Sequence, residues 1–240
     1  MNQVEKHQRT NDIFFGPLER PALKWLAAHM PAWVTPDILT GIGVLGGLVI
    51  FTAYVLTNLS PLFLFLASLG LVINWFGDSL DGSLARYRDI QRPRYGFFID
   101  HTVDAVIEVL IVVGLGLSPY VRFDLALLAL VCYLLLSVMV YIQQIVTNEF
   151  RISYGKLGPT EVRVIIILAN TLIFFIGNPK ISLAGNQVTV YDSLVILLSC
   201  IMALIYLVNT IQRGRQLSQQ DNSARQAAKR TQTLSLPLDN

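Results

Sequence analysis

The sequence predicts an all-α fold: a polytopic membrane protein of six transmembrane helices, preceded by an N-terminal interfacial amphipathic helix. Three observations carry this. Of 240 residues, 53% are hydrophobic and only 14% charged, with a mean hydropathy of +0.54, whereas about a quarter of residues are charged in soluble domains. Apolar runs recur at lengths near the ~20 residues that cross about 30 Å of hydrocarbon as a helix. The basic residues gather in alternate loops, as they do on the cytoplasmic side of membrane proteins. A formal net charge of +2 excludes the broad positive field of a nucleic-acid-binding protein. Cys132 and Cys200 both lie inside apolar runs, which suggests neither a disulfide framework nor a metal-ligand pattern.

The elements follow in chain order. Residues 1–34 form an N-terminal segment in which Pro17 to Trp33 reads as a short helix. Leu18, Leu23, Leu26 and Met30 share one face, Arg20 and Lys24 another, with Trp25 and Trp33 as anchors. Such a helix either lies in the membrane interface or packs as an ordinary amphipathic helix on the protein itself. Residues 35–211 are expected to form the membrane domain, with apolar runs at 38–56, 61–76, 97–117, 123–145, 164–177 and 194–211. The fifth is short unless it extends back through Thr160. Asn58 to Pro61, Ser118-Pro119, Gly155 to Pro159 and Gly177 to Pro179 punctuate the runs. The polar start and the lack of a small-residue cleavage site behind a short apolar stretch lead us to expect the first span to remain in the mature protein. Residues 212–240, rich in Gln, Ser and Arg, are expected to be a disordered tail or a frayed helix at the headgroups.

Counting Lys and Arg by loop predicts the orientation. Lys6, Arg9, Arg20 and Lys24 precede span 1. Arg86, Arg88, Arg92 and Arg94 separate spans 2 and 3. Arg151, Lys156 and Arg163 border the loop between spans 4 and 5, and Arg213, Arg215, Arg225, Lys229 and Arg230 follow span 6. These are sixteen of the eighteen basic residues; Arg122 and Lys180 fall on the other side. Both termini are therefore expected to be cytoplasmic, which agrees with an even number of spans.

Five acidic residues, Asp78, Asp81, Asp100, Asp104 and Glu108, fall at the cytoplasmic ends of spans 2 and 3 or inside span 3. Acids at membrane depth are costly unless they face a polar cavity, pair with a cation or bind a metal. Asp78 and Asp81 are three residues apart; Asp100, Asp104 and Glu108 are four apart. Each set therefore projects from one helix face, and two facing helices can bring four carboxylates together. Oxygen donors at this density call for a hard divalent cation, Mg²⁺ or Mn²⁺. Gly82 and Ala85 leave the helix surface bare beside the first pair, Gly96 does so one turn before Asp100, and Arg86 stands in reach of a phosphate oxygen. Together these residues describe a metal-bridged pyrophosphate pocket.

Asp78, Asp81, Gly82, Ala85, Arg86, Gly96, Asp100 and Asp104 match all eight fixed positions of the signature D-x2-D-G-x2-A-R-x8-9-G-x3-D-x3-D. The chain thus closely resembles the CDP-alcohol phosphotransferase family. The resemblance implies transfer of a phosphatidyl or phosphoalcohol group from a CDP-linked donor, CDP-diacylglycerol or a CDP-alcohol, to an alcohol acceptor, with release of CMP, in phospholipid biosynthesis. It implies that Asp78, Asp81 and Asp100 ligate Mg²⁺ or Mn²⁺, and that Asp104 shares in a second metal site or takes the acceptor's proton. It further implies that Gly82, Ala85 and Gly96 make room for the nucleotide and that Arg86 holds its phosphates. A homodimer is common in the family. If the source is bacterial, the inner membrane is the expected location.

Four other features belong with this reading. Thr35-Pro36-Asp37-Ile38-Leu39-Thr40 resembles the Pro-Asn-x-x-Thr start frequent in the family, with Asp37 in place of Asn; Thr40 then lines the nucleotide pocket. A plain helix start, with Thr35 as N-cap and Pro36 in the first turn, explains much of the same pattern. Arg151, Lys156 and Arg163 form either a basic acceptor pocket or ordinary cytoplasmic charge. His101 follows the third aspartate, as in the choline and ethanolamine phosphotransferase branch, where it is a candidate base; otherwise it hydrogen-bonds a neighbouring helix. The residue after Gly96 is Phe97, where that branch tends to have Glu. Glu108 is expected to be a buried hydrogen-bonding group in preference to a support for a metal ligand.

Two rival functions fit parts of the pattern. An aspartate-rich intramembrane prenyltransferase also binds diphosphate through metal, but its aspartate motifs lie far apart in sequence, and it leaves Gly82, Ala85 and Arg86 unexplained. A cation carrier would use the acids for conduction or coupling, yet the chain has no inverted repeat and its acids sit at one membrane face.

Overall fold

The computed structural model describes residues 14–147, 158–183 and 186–234. Seven helices and one hairpin follow in order: α1 Gly16–His29, α2 Pro36–Leu56, α3 Phe63–Tyr87, α4 Pro93–Gly116, α5 Phe123–Thr147, α6 Pro159–Ile176, the antiparallel β1 Lys180–Leu183 and β2 Asn186–Thr189, and α7 Val190–Leu234. Among the described residues five helices, α2, α3, α5, α6 and α7, are long and apolar enough to cross a membrane. The sixth expected span, α4, has 24 residues and so a length of about 36 Å. It falls outside that group because Asp100, Asp104 and Glu108 interrupt its apolar surface.

Local chemistry accounts for the helix ends. The Thr35 hydroxyl accepts a hydrogen bond from the Ile38 amide at 3.3 Å, with Pro36 behind it, which is the plain helix start. Helix α3 does not stop with its apolar run near Phe76 but continues to Tyr87; the signature residues 78–86 therefore stand on a regular helix. Helix α6 starts at Pro159, where Glu161 reaches back to the Gly158 amide at 2.9 Å, and it ends at Gly177, whose φ of +77° suits glycine. Helix α7 opens with a reciprocal cap: the Thr189 hydroxyl accepts from the Asp192 amide at 3.0 Å and Asp192 Oδ2 from the Thr189 amide at 3.3 Å. It continues through residues 212–234 of the expected tail, of which residues 235–240 lie outside the described ones. The Ala, Gln, Arg and Lys content there favours continued helix.

Helices α2 and α3 pack backbone to backbone beside the site. A methyl group on Gly46 would lie 2.5 Å from the Asn74 amide nitrogen, and one on Gly77 would collide with the backbones of Leu39 and Gly43. Glycines at these positions let the two backbones touch. One buried cluster, including Ile50, Tyr54, Leu64, Leu71 and Ile173, joins α2, α3 and α6 in the bundle centre. Within it Tyr54 donates to Asn170 at 3.0 Å and Asn170 to Ser68 at 3.2 Å. A second cluster of Ala27, Val34, Leu39, Leu80 and Leu84 seats α1.

Leu23 and Leu26 of α1 and Met30 just past it pack on that second cluster, whereas Leu18, Trp25 and Trp33 are 74%, 61% and 73% exposed. The single apolar face expected from the sequence is thus split between protein and surroundings, because α1 offers apolar groups on more than one side. Arg88, just past α3, donates to the carbonyl oxygens of Met30, Pro31 and Val34, and Arg92 pairs with Asp37. These guanidinium groups tie the α1–α2 link to the end of α3.

Candidate active site

Helices α3 and α4 present their carboxylates toward each other. Oxygens of Asp78, Asp100 and Asp104 all lie within 4.8 Å of one another. Asp81 stands one turn further along α3; its Oδ2 accepts from the Thr40 hydroxyl at 2.6 Å, and its Oδ1 accepts from the Gly82 amide. Thr40, Gly43, Asp78, Asp81, Asp100, Val103 and Ile107 line a narrow cleft between α2, α3 and α4. The close approach of α2 to α3 at Gly43, Gly46 and Gly77 is what puts Thr40 opposite Asp81.

A cation already touches the cluster. Arg163 of α6 donates from Nη2 to Asp78 Oδ2 at 2.6 Å and from Nε to Asn74 Oδ1 at 3.0 Å. Asn74 is oriented in turn by donating to the Gly43 carbonyl at 3.0 Å. Both partners of the ion pair are largely buried, at 14% and 21% exposure. One positive charge does not offset three clustered carboxylates with a fourth beside them. A set of hard oxygen donors this close fits a divalent cation of the Mg²⁺ or Mn²⁺ type.

The remaining expected site residues divide. His101 lies beside the cluster, its Nδ1 3.5 Å from Asp100 Oδ2 and its ring between those of Phe97 and Tyr141 at centroid distances of 4.1 and 5.2 Å. Glu108 is half-buried on α4 and faces Tyr133 of α5. Arg86 is exposed and lies over Gly82, donating to Ser83 Oγ at 3.1 Å; a methyl group on Gly82 would come within 3.2 Å of the guanidinium. Ala85 is half-buried on the same turn. Gly96 is exposed, with open space where a side chain would start, so no neighbour among the described residues requires glycine there. Lys156 and Arg151 fall outside the described residues. The sequence reading missed Asn74, although a polar residue within an apolar run was a usable signal. Arg163 had been grouped with the basic loop; charge counting cannot separate a topology determinant from a buried ion-pair partner.

With the helices and carboxylates in place, comparison with known proteins assigns the class. The family model for CDP-alcohol phosphatidyltransferase matches residues 33–205; the chain belongs to this family. It is 29% identical over 189 residues to cholinephosphotransferase 1 of Danio rerio, which covers 73% of this chain and 47% of the relative. It is 36% identical over 115 residues to archaetidylinositol phosphate synthase of Pyrococcus horikoshii, covering 48% of this chain and 56% of the relative. The chain spans about half the length of the curated relatives it matches. Among solved structures, it is similar to the phosphatidylinositol phosphate synthase of Mycobacterium tuberculosis with CDP-DAG bound. The TM-score is 0.49 at 20% identity, over 83% of this chain and 92% of that one.

Proposed function

We propose that this protein transfers a phosphatidyl or phosphoalcohol group from a CDP-linked donor, CDP-diacylglycerol or a CDP-alcohol, to the hydroxyl of an alcohol acceptor and releases CMP, as a step of phospholipid synthesis. The observation that carries the reading is the complete family signature on α3 and α4, with Asp78, Asp100 and Asp104 converging within 4.8 Å beside a cleft. Asp78, Asp81, Asp100 and Asp104 are the proposed holders of Mg²⁺ or Mn²⁺. Bound there, such a cation supplies neutralisation of the diphosphate charge that grows on the leaving CMP.

The chain's own residues do the rest. Thr40 holds Asp81 so that this carboxylate stays turned to the cleft. Gly82, Ala85 and Gly96 leave the helix surfaces open to the nucleotide, and Arg86 swings from Ser83 to the donor's phosphate oxygens. The acceptor hydroxyl oxygen forms a bond to the phosphorus distal to cytidine as the bond from that phosphorus to the CMP oxygen breaks. Its proton passes to Asp104, with His101 as the neighbouring alternative base. Lys156 is the proposed contact for an acceptor that carries phosphate.

Helix α4 is the sixth span in this reading, crossing with its carboxylates turned inward to α3 and α5. Helix α1 lies along the interface through Leu18, Trp25 and Trp33. The placement of sixteen of eighteen basic residues supports a cytoplasmic active site and cytoplasmic termini. A homodimer is the proposed assembly. The test is CMP release by detergent-purified protein with Mg²⁺ or Mn²⁺, using CDP-diacylglycerol and CDP-alcohols against a panel of acceptors. Release that stops on chelation is the expected outcome; no CMP from any donor and acceptor combination, with folded protein, overturns the proposal.

A further inference from the structure

Glu19, on the surface helix α1, is bound into the bundle one helical turn from the Arg163–Asp78 pair. Its Oε1 accepts from Trp75 Nε1 of α3 at 2.8 Å and from the Thr160 hydroxyl of α6 at 2.7 Å. Three residues further along each of those helices stand Asp78 and Arg163, joined at 2.6 Å. Helices α3 and α6 are therefore bridged twice on one face: through the Glu19 carboxylate at 75 and 160, and directly at 78 and 163. A second carboxylate ties α1 to the same turn of α6. Glu161, only 4% exposed, accepts from the Phe15 amide at 2.8 Å and from the Gly158 amide at 2.9 Å. One carboxylate oxygen shared by two helices fixes their separation more tightly than apolar contact does, since both donors must stay within hydrogen-bond reach.

We propose that Glu19 is a positioning residue: by holding the first turn of α6 against α3, it sets the place of the Arg163 guanidinium on Asp78 and so tunes the carboxylate cluster from outside the cleft. The inference rests on the reaction proposed above for the importance of Asp78, but its test reads the cluster directly. Glu19→Gln removes the charge and keeps an acceptor oxygen for Trp75 and Thr160, whereas Glu19→Ala removes both. The full chain, purified in detergent, is titrated with Mn²⁺ alone and followed by electron paramagnetic resonance, in the unmodified and the Arg163→Ala backgrounds. Mn²⁺ affinities of Glu19→Ala and Glu19→Gln should differ by several-fold to about ten-fold when Arg163 is present and coincide when it is absent, as for two groups acting through one contact. Thr160→Val, which removes one donor and leaves Glu19 in place, should shift affinity in the same direction as Glu19→Ala, and supplies the result if the latter does not fold. Equal affinities of the Ala and Gln variants beside Arg163, or an equal difference between them without it, overturn the proposal. An enzyme that binds Mn²⁺ and shows this coupling, yet releases no CMP, overturns the proposed reaction and leaves the role of Glu19 standing.

Discussion

At the end of the bundle where α7 begins, carboxylates are matched to partners; at the other end Glu19, Glu161 and Asp37 are matched too, but three aspartates are massed together. Asp192 is 2% exposed, and it accepts from the Arg122 amide at 2.9 Å and from the Thr189 amide, so its charge closes a helix start. Asp124 takes two bonds from Arg122, the shorter 2.6 Å. Asn178 and Asn58 complete this end by donating to the Pro119 and Leu117 carbonyls, each at 2.9 Å. At the site end, Asp78, Asp100 and Asp104 crowd within 4.8 Å, with Arg163 bonded to the first. The matched end contributes stability. The massed end is the pattern expected where local rules are broken for function.

Substitutions at the two ends should therefore separate activity from stability. The largest effect is expected from Asp104→Asn, which should lower CMP release by at least about a thousand-fold, near 4 kcal/mol of activation free energy, while the thermal midpoint stays near that of the parent. Turnover close to normal would remove Asp104 from the chemistry. Gly77→Ala should act on packing at the same end. Its methyl group meets the α2 backbone, which cannot yield as a flexible side chain can, so about 3 kcal/mol of stability should be lost, read as reduced folded yield and an earlier melt.

Asp192→Ala at the matched end should show the opposite signature to Asp104→Asn. Two amides lose their acceptor and stability should fall by about 2 kcal/mol, with turnover per folded molecule unchanged; loss of turnover without loss of stability would erase the contrast between the ends. Arg86→Ala should raise donor KM by about ten-fold with a smaller change in kcat, and an unaltered KM and kcat would contradict its phosphate role. Arg122→Ala should be the mildest. Its exposed pairing with Asp124 is screened by solvent, and neither the thermal midpoint nor CMP release should change measurably.

The parts of the site legible beforehand are those that depend on spacing along one chain. Asp78 and Asp81, and Asp100 and Asp104, share helix faces because of the 3.6-residue period, and Thr35 and Pro36 mark a helix start wherever it packs. What escaped depends on which helices meet. Arg163 resembled any other basic residue near a span end until α6 was seen to lie against α3. Likewise Glu19, 141 positions from Thr160, has no local pattern that names its partners. The grouping of carboxylates also needed the third dimension. The signature treats Asp81 as equivalent to its neighbours, whereas the structure gives it to Thr40 and leaves Asp78, Asp100 and Asp104 as the tightest set.

By itself the sequence determined that the chain is an apolar helical protein with five of its sixteen acids gathered on two neighbouring segments, because hydropathy, helical period and a fixed signature are properties of the chain read in order. Only the tertiary structure decided which carboxylates come together, that Arg163 and Asn74 attend them, and that α1 is bound to α3 and α6 through Glu19. The physical reason is that the glycine contact of α2 with α3, and the shared hydrogen bonds of α1, α3 and α6, join residues far apart along the chain, and these close approaches depend on how all the helices pack at once.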